Sequence, residues 1–178
     1  MIFAHLPAGY LLTRALTEKI SPELRKPVLY TGLLASIAPD FDLAWFYLVD
    51  GGYGSHHHYW THVPLFWLAL CSLSAVISSL TRQRTLFWCS ISALINFELH
   101  LALDTMYGKI AWLYPFSDWR EPLLSLHSTY SRSSLNQMTS WTILLEIAIM
   151  VAAAASFYLE RKRLQNVHKI KEEKGFRG

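Results

Sequence analysis

Four of the chain's eight histidines lie in one short segment, GSHHHYWTHVP, at residues 54–64. Two other segments carry carboxylates: PDFD at residues 39–42 has two aspartates, and HLALD at residues 100–104 has a histidine four residues before an aspartate. Imidazole and carboxylate together suit zinc, and also manganese or iron where more oxygen ligands are present. These residue types therefore predict a metal centre.

Each segment also has a simpler explanation. Asp40 and Asp42 of PDFD could form a turn that breaks a helix, with Asp40 capping the next helix. His100 and Asp104 share one helix face, where they could form an ordinary hydrogen-bonded pair. Adjacent histidines rarely all point to one place, so at least one of residues 56–58 is expected to have no role in a site.

The composition favours a membrane protein. Charged residues make up 16% of the chain, well below the quarter or so that is typical of soluble proteins. Three apolar stretches, at residues 63–80, 86–103 and 141–159, have the length needed to cross a bilayer. Two weaker stretches, at residues 2–16 and 28–49, precede them. We therefore predict an all-α fold, an integral membrane bundle of about five helices.

The basic residues predict the orientation of this bundle. If the chain starts outside, the basic segments near residues 14–26, at 82–84 and after 160 all emerge on one face. The positive-inside rule makes that face cytoplasmic. We expect a multi-pass membrane-embedded domain at residues 1–160 and a basic cytoplasmic tail at residues 161–178, which anionic membrane lipids would attract.

The same topology brings distant polar residues to one depth. At about 1.5 Å per helical residue, they lie roughly 14 to 30 Å above the cytoplasmic basic segments. The residues at this depth are His5, Asp40, Asp42, His62, His100 and Asp104. Ionisable groups within a membrane segment usually face the bundle interior and have partners. We therefore expect one centre near the outer face, where lipid-like substrates are within reach.

The residue types in the predicted centre favour a catalytic metal site over a purely structural one. The two cysteines, Cys71 and Cys89, lie inside apolar stretches away from the cluster, which argues against a closed thiolate site. An open site would hydrolyse an ester or phosphoester with metal-activated water, and Asp42 or Asp104 could accept the proton. Paired carboxylates could also bridge two ions. The alternative is a non-catalytic module that binds or transports metal. Transport would need polar groups across the whole thickness of the bilayer.

The order of the motifs resembles a known family. The chain has His5 near its start, PDFD, HHHYWTH at residues 56–62, HLALD, and Gly108 followed by YPFS at residues 114–117. In this order they resemble the YdjM-like family of bacterial inner-membrane metal-dependent hydrolases, over residues 1 to about 117. The resemblance implies a location in the bacterial inner (cytoplasmic) membrane.

The resemblance also implies a set of ligands. These are His5, Asp40, Asp42, His57, His62, His100 and Asp104. The family loop usually runs His-Arg-Gly-x-Thr-His, and here His58 and Tyr59 replace the arginine and glycine, so His58 could take the place of His57. Thr61 and Ser117 could orient the ligands or act as capping and turn residues. We expect one or two divalent transition-metal ions, zinc in first place, a small-molecule or lipid-like substrate, and no nucleic-acid partner.

Overall fold

The computed structural model describes residues 3–106, 108–120 and 141–175, and this part of the chain contains helices and no β-strand. The elements in chain order are α1 (His5–Thr17), α2 (Pro22–Ala35), a 3-10 turn (Ala38–Phe41), α3 (Asp42–Leu48), two further 3-10 turns (His56–His58 and Trp60–His62), α4 (Pro64–Leu80), α5 (Arg84–Asp104) and α6 (Trp141–Gly175). The all-α prediction is confirmed for these residues.

Helix α5 is the centre of the bundle, because it packs against α4, α2 and α1. Helix α1 also packs against α2 and α6. The first residue of α1, His5, contacts the last residue of α5, Asp104. The backbone just after α2 contacts His100 near the end of α5. Helices α1 and α4 therefore begin, and α2 and α5 end, at one end of the bundle, which we call the site end.

Two described helices are long and apolar enough to cross a bilayer: Arg84–Asp104 and the segment Ile143–Asn166 of α6. Only 6% of the apolar window of α6 is buried inside the protein, so its side chains need another apolar environment, which lipid supplies. Helices α1 and α2 have 13 and 14 residues and reach only about 20 Å. The predicted bundle of five membrane helices is therefore not confirmed, and the multi-pass orientation stays a prediction.

The predicted span at residues 28–49 is not one helix. Helix α2 begins at Pro22 and ends at Ala35, the 3-10 turn follows, and α3 begins at Asp42. Pro39 has no backbone N–H to donate to the carbonyl of Ala35, so α2 cannot continue through it as a regular α-helix. The helix-breaking explanation of PDFD is therefore confirmed, although no side chain caps α3 by a hydrogen bond.

Helix α6 is tied to α1 away from the site end. The Arg14 guanidinium donates a hydrogen bond of 2.6 Å to the carbonyl oxygen of Ser156 and lies 3.5 Å from the Glu160 carboxylate. The Tyr10 hydroxyl donates to the same carboxylate at 3.0 Å. Helix α6 runs through residue 160 without a break and ends at Gly175. The predicted tail after residue 160 thus begins as a continuation of the helix.

Helices α1, α2 and α5 approach closely at Gly32. A β-carbon on Gly32 would lie 2.2 Å from Thr13 Oγ1 and 2.6 Å from Ser92 Oγ. The buried Asn96 amide donates to Thr13 Oγ1 at 2.8 Å, and Ser92 donates to the Val28 carbonyl at 3.0 Å. Glycine at this position therefore lets hydrogen-bonded polar side chains fill the space between three helices.

We expect Gly32→Ala to lower the free energy of unfolding by about 1–3 kcal/mol, because overpacking forces neighbouring side chains and backbone to shift. The measurement is unfolding of the purified protein in detergent. Two of the three nearest atoms belong to Thr13, so the double variant with Thr13→Ala should recover part of the loss. Unchanged stability in the single variant would contradict the close packing.

Candidate metal centre

The candidate centre is assembled from elements that meet at the site end. Helix α5 contributes His100 and Asp104 from its last turn, and α1 contributes His5 from its first turn. Asp40 lies in the 3-10 turn after α2, and His62 ends the 3-10 turn before α4. Residues far apart in the sequence therefore lie close together here, because ends of α1, α2, α4 and α5 meet at this point.

Four of these side chains form a compact donor group. One ligand atom each from Asp40, His62, His100 and Asp104 lies within 4.8 Å of the others. His100 Nε2 is 3.0 Å from Asp104 Oδ2 and 3.5 Å from Asp40 Oδ1, and His62 Nε2 is 3.6 and 3.9 Å from the same two oxygens. Tetrahedral zinc, with bonds of about 2.0–2.2 Å, separates its ligand atoms by about 3.4 Å. The spacing fits a metal ion.

Hydrogen bonds fix which ring nitrogen of each histidine faces the donor group. His100 Nδ1 donates to the Ser36 carbonyl oxygen at 2.8 Å, and His62 Nδ1 lies 2.9 Å from Asp42 Oδ2. A carbonyl or carboxylate at Nδ1 holds the proton there and leaves the Nε2 lone pair available. Both Nε2 atoms are buried without a hydrogen-bond partner. Buried polar atoms rarely stay unpartnered, so a ligand at this point would satisfy them.

Asp42 lies behind the donor group. Its carboxylate contacts His62 Nδ1 at 2.9 Å through one oxygen and His56 Nδ1 at 3.2 Å through the other, and it accepts a hydrogen bond from the Thr61 hydroxyl. The sequence predicted Asp42 as a metal ligand and proton acceptor. The structure instead places it where it orients His62, as carboxylates commonly orient metal-binding histidines.

His5 closes the inner side of the centre. Its Nε2 atom lies 3.1 Å from Asp104 Oδ1, the carboxylate oxygen that faces away from His100. Its ring stacks on the ring of His100, with 3.9 Å between the centroids and 23° between the planes. Both side chains are buried. His5 therefore contacts the second carboxylate oxygen of Asp104 while its ring packs on the ring of His100.

Two of the three adjacent histidines face the centre together: the rings of His56 and His57 have 4.2 Å between their centroids, and each contacts the ring of His62. His56 contacts Asp42, as described, and His57 Nε2 lies 3.9 Å from Asp104 Oδ2. His58 is exposed and belongs to neither of the two described groups of potential ligands, the second of which is His56, His57 and His62. Burial lowers the pKa of His57 to about 4, so its ring is neutral at neutral pH.

Gly108 leaves space for the His57 ring. A β-carbon there would lie 2.5 Å from His57 Nδ1 and 2.6 Å from its Cε1 atom. We expect Gly108→Ala to push the ring away and to weaken metal binding about tenfold, measured by metal titration. If the effect acts through His57, adding His57→Ala should cause little further loss. Additive losses of metal affinity in the double variant would contradict this contact. His58→Ala serves as the matched control for His57→Ala.

The two residues predicted to orient ligands have different surroundings. Thr61 contacts Asp42, and its carbonyl oxygen accepts a hydrogen bond of 2.8 Å from the Trp67 indole. That indole stacks on Phe97 of α5, with 3.6 Å between the ring centroids, which fixes the histidine segment to α5. Ser117 accepts a hydrogen bond from the Trp119 backbone at 3.2 Å, as a turn residue does.

Sequence reasoning missed two contributions to the centre. The Ser36 carbonyl oxygen orients His100, and a backbone atom after a helix leaves no signal in residue type. The ring of His56 contacts Asp42, although the family spacing pointed to its neighbours. Between α5 and α6 the structure describes residues 105–106 and 108–120.

One side of the centre is buried, and the other side, which we call the rim, is partly exposed. The side chains of His62 and His100 are fully buried, and that of Asp104 is 4% exposed. The Asp40 side chain is 28% exposed and that of His57 is 18% exposed. The solvent-exposed edge of the centre therefore lies at Asp40 and His57.

The comparisons with known proteins agree with the motifs and the apolar helices. A family model described as YdjM inner membrane protein matches residues 1–164. No curated protein matches the chain, and no solved structure matches it. The family match and the two helices capable of crossing a bilayer support a location in the membrane. The chain belongs to the YdjM inner membrane protein family.

Proposed function

We propose that this protein is a membrane-bound metal-dependent hydrolase that cleaves an ester or phosphoester. The observation that carries the proposal is the pair of buried Nε2 atoms, on His62 and His100, beside the carboxylates of Asp40 and Asp104. Their Nδ1 atoms are already occupied, so the free lone pairs converge on one point. Two imidazoles and two carboxylates suit zinc, with manganese or iron as alternatives.

A divalent metal ion held by this group would act as a Lewis acid and lower the pKa of water. The protein's own residues supply the remaining functions. Asp104 is enclosed by histidines, and both oxygens of Asp42 are engaged with His56 and His62. Asp40 is the most open of the three carboxylates. In our proposal Asp40 therefore accepts the proton from water that enters at the rim.

The packing below the centre supports hydrolysis over transport. A transported ion would need a path between α1, α2 and α5, and buried polar side chains do continue there, at Thr13, Ser92 and Asn96. However, the helices are so close that even a methyl group on Gly32 would collide with Thr13 and Ser92. An ion with its ligands needs more room than a methyl group. The non-catalytic transport module is therefore the weaker candidate.

The proposal is tested on detergent-purified protein prepared without chelators. We expect one equivalent of a transition metal per chain for the four-residue donor group, or two if the group of His56, His57 and His62 binds a second ion. Hydrolysis of a chromogenic ester or phosphodiester should be lost after chelation and restored by adding the metal. Bound metal without hydrolysis would favour the non-catalytic module, and absence of metal would contradict both functions.

A further inference from the structure

Helix α3 has an unusual surface for so short an element. Its main neighbours among the described residues are the 3-10 turns at Ala38–Phe41 and His56–His58. Phe46 faces inward and is buried, with its ring 6.0 Å from that of His56. The exposed side is apolar, and it consists of Trp45 and Leu48 of α3 and the flanking residues Phe41 and Val49. These four positions fall on one side of a helix.

The position of this face relative to the membrane follows from α5. The apolar helix Arg84–Asp104 has the length of a membrane span, and its last residue, Asp104, belongs to the candidate centre. A membrane span formed by α5 would place the centre at the boundary between acyl chains and headgroups. Helix α3 begins at Asp42, which contacts the centre through His62, so α3 lies at the same level.

The length and the side chains of α3 suit a position at the membrane interface. Its seven residues extend about 10 Å, too short to cross a bilayer. Its single charged residue, Asp42, is turned toward the centre. Tryptophan and tyrosine favour the membrane interface, and Trp45, Tyr47 and the nearby Trp60 are all exposed. An amphipathic helix with such a face lies in the plane of the interface.

We propose that the apolar face of α3 is embedded in the lipid interface, so that the metal centre opens toward phospholipids of the surrounding membrane. Asp40, the open residue of the rim, is separated from α3 by Phe41 alone. A phospholipid that contacts the apolar face can therefore present its ester or phosphoester to the rim without leaving the bilayer. The position of α3 stands independently, and the choice of substrate rests on the proposed hydrolase.

The position of α3 is tested by fluorescence quenching in phospholipid vesicles. A single fluorophore is attached to Leu48→Cys in a full-length chain that carries Cys71→Ala and Cys89→Ala. We expect strong quenching by lipids with a nitroxide near the headgroup and weak quenching by a water-soluble nickel complex. Gln83→Cys, in the exposed turn before α5, is the matched control and should be quenched more strongly by nickel than position 48. Quenching of position 48 by nickel, or by neither agent, would overturn the proposal.

The substrate is tested by comparing two hydrolysis reactions. Leu48→Ser should slow cleavage of phospholipid in vesicles at least tenfold, while cleavage of a soluble chromogenic substrate and metal content stay unchanged. The control is Leu80→Ser, at the other end of α4, where the side chain is 79% exposed compared with 84% for Leu48. The lipid assignment would be overturned if Leu48→Ser slowed hydrolysis of both substrates equally. It would also be overturned if the unaltered protein cleaved the soluble substrate but not the phospholipid. Failure of the unaltered protein on both substrates would instead contradict the hydrolase, and the quenching result would still stand.

Discussion

Asp104→Asn is expected to remove the bound metal and to slow hydrolysis by more than about a hundredfold, beyond the 10- to 100-fold effect typical of residues behind the ligands. The reason is the number of groups that depend on this carboxylate. Its Oδ2 atom lies 3.0 Å from His100 and 3.6 Å from His62, and its Oδ1 atom lies 3.1 Å from His5. Asparagine has the same shape but no charge, and it offers one oxygen where the centre uses two.

The measurement is metal content and hydrolysis rate of the purified variant, with its unfolding temperature as a check on folding. Asp118→Asn makes the same substitution at an exposed position and should change neither quantity. Retention of stoichiometric metal by a folded Asp104→Asn protein would show that the donor group is a network of hydrogen bonds only. Excess metal should not restore this variant.

Asp42→Asn is expected to weaken metal binding by about 10- to 100-fold, the range typical of residues that orient ligands. The two carboxylate oxygens serve two imidazoles, those of His56 and His62. Asparagine has one oxygen, so one imidazole must face an N–H donor. If that imidazole is His62, its proton moves to Nε2, and the lone pair that faces the centre is lost.

Metal titration distinguishes this role from direct ligation, which the sequence had predicted for Asp42. Because all four residues of the donor group remain and only the tautomer of His62 changes, excess metal should restore hydrolysis in Asp42→Asn, in contrast to Asp104→Asn. Asp50→Asn is the matched control, since Asp50 also accepts a side-chain hydrogen bond, from Tyr59, but belongs to neither group of potential ligands. Loss that excess metal cannot reverse would make Asp42 a ligand and contradict the arrangement described above.

Composition and residue spacing were enough to predict the helical class, the membrane character and most of the residues that converge. Counting residues from the basic segments predicted that His5, His62, His100 and Asp104 all lie toward one side of the helical bundle, and in the structure these side chains are in contact. Apolar stretches at residues 63–80 and 86–103 agree closely with α4 and α5. The order of the motifs predicted the family that the match over residues 1–164 shows. These features depend on composition and spacing along the chain, which are properties of the sequence.

The tertiary structure decided the direction of each side chain and the contacts of the backbone. Counting residues gives depth but not rotation about a helix axis, and it fails where the backbone is irregular. Only the fold shows that Asp42 faces the back of His62, that His57 turns inward beside Gly108, and that His58 is exposed. The Ser36 carbonyl reaches His100 because α2 ends there. Such contacts depend on residues far apart in the chain, so no local pattern encodes them.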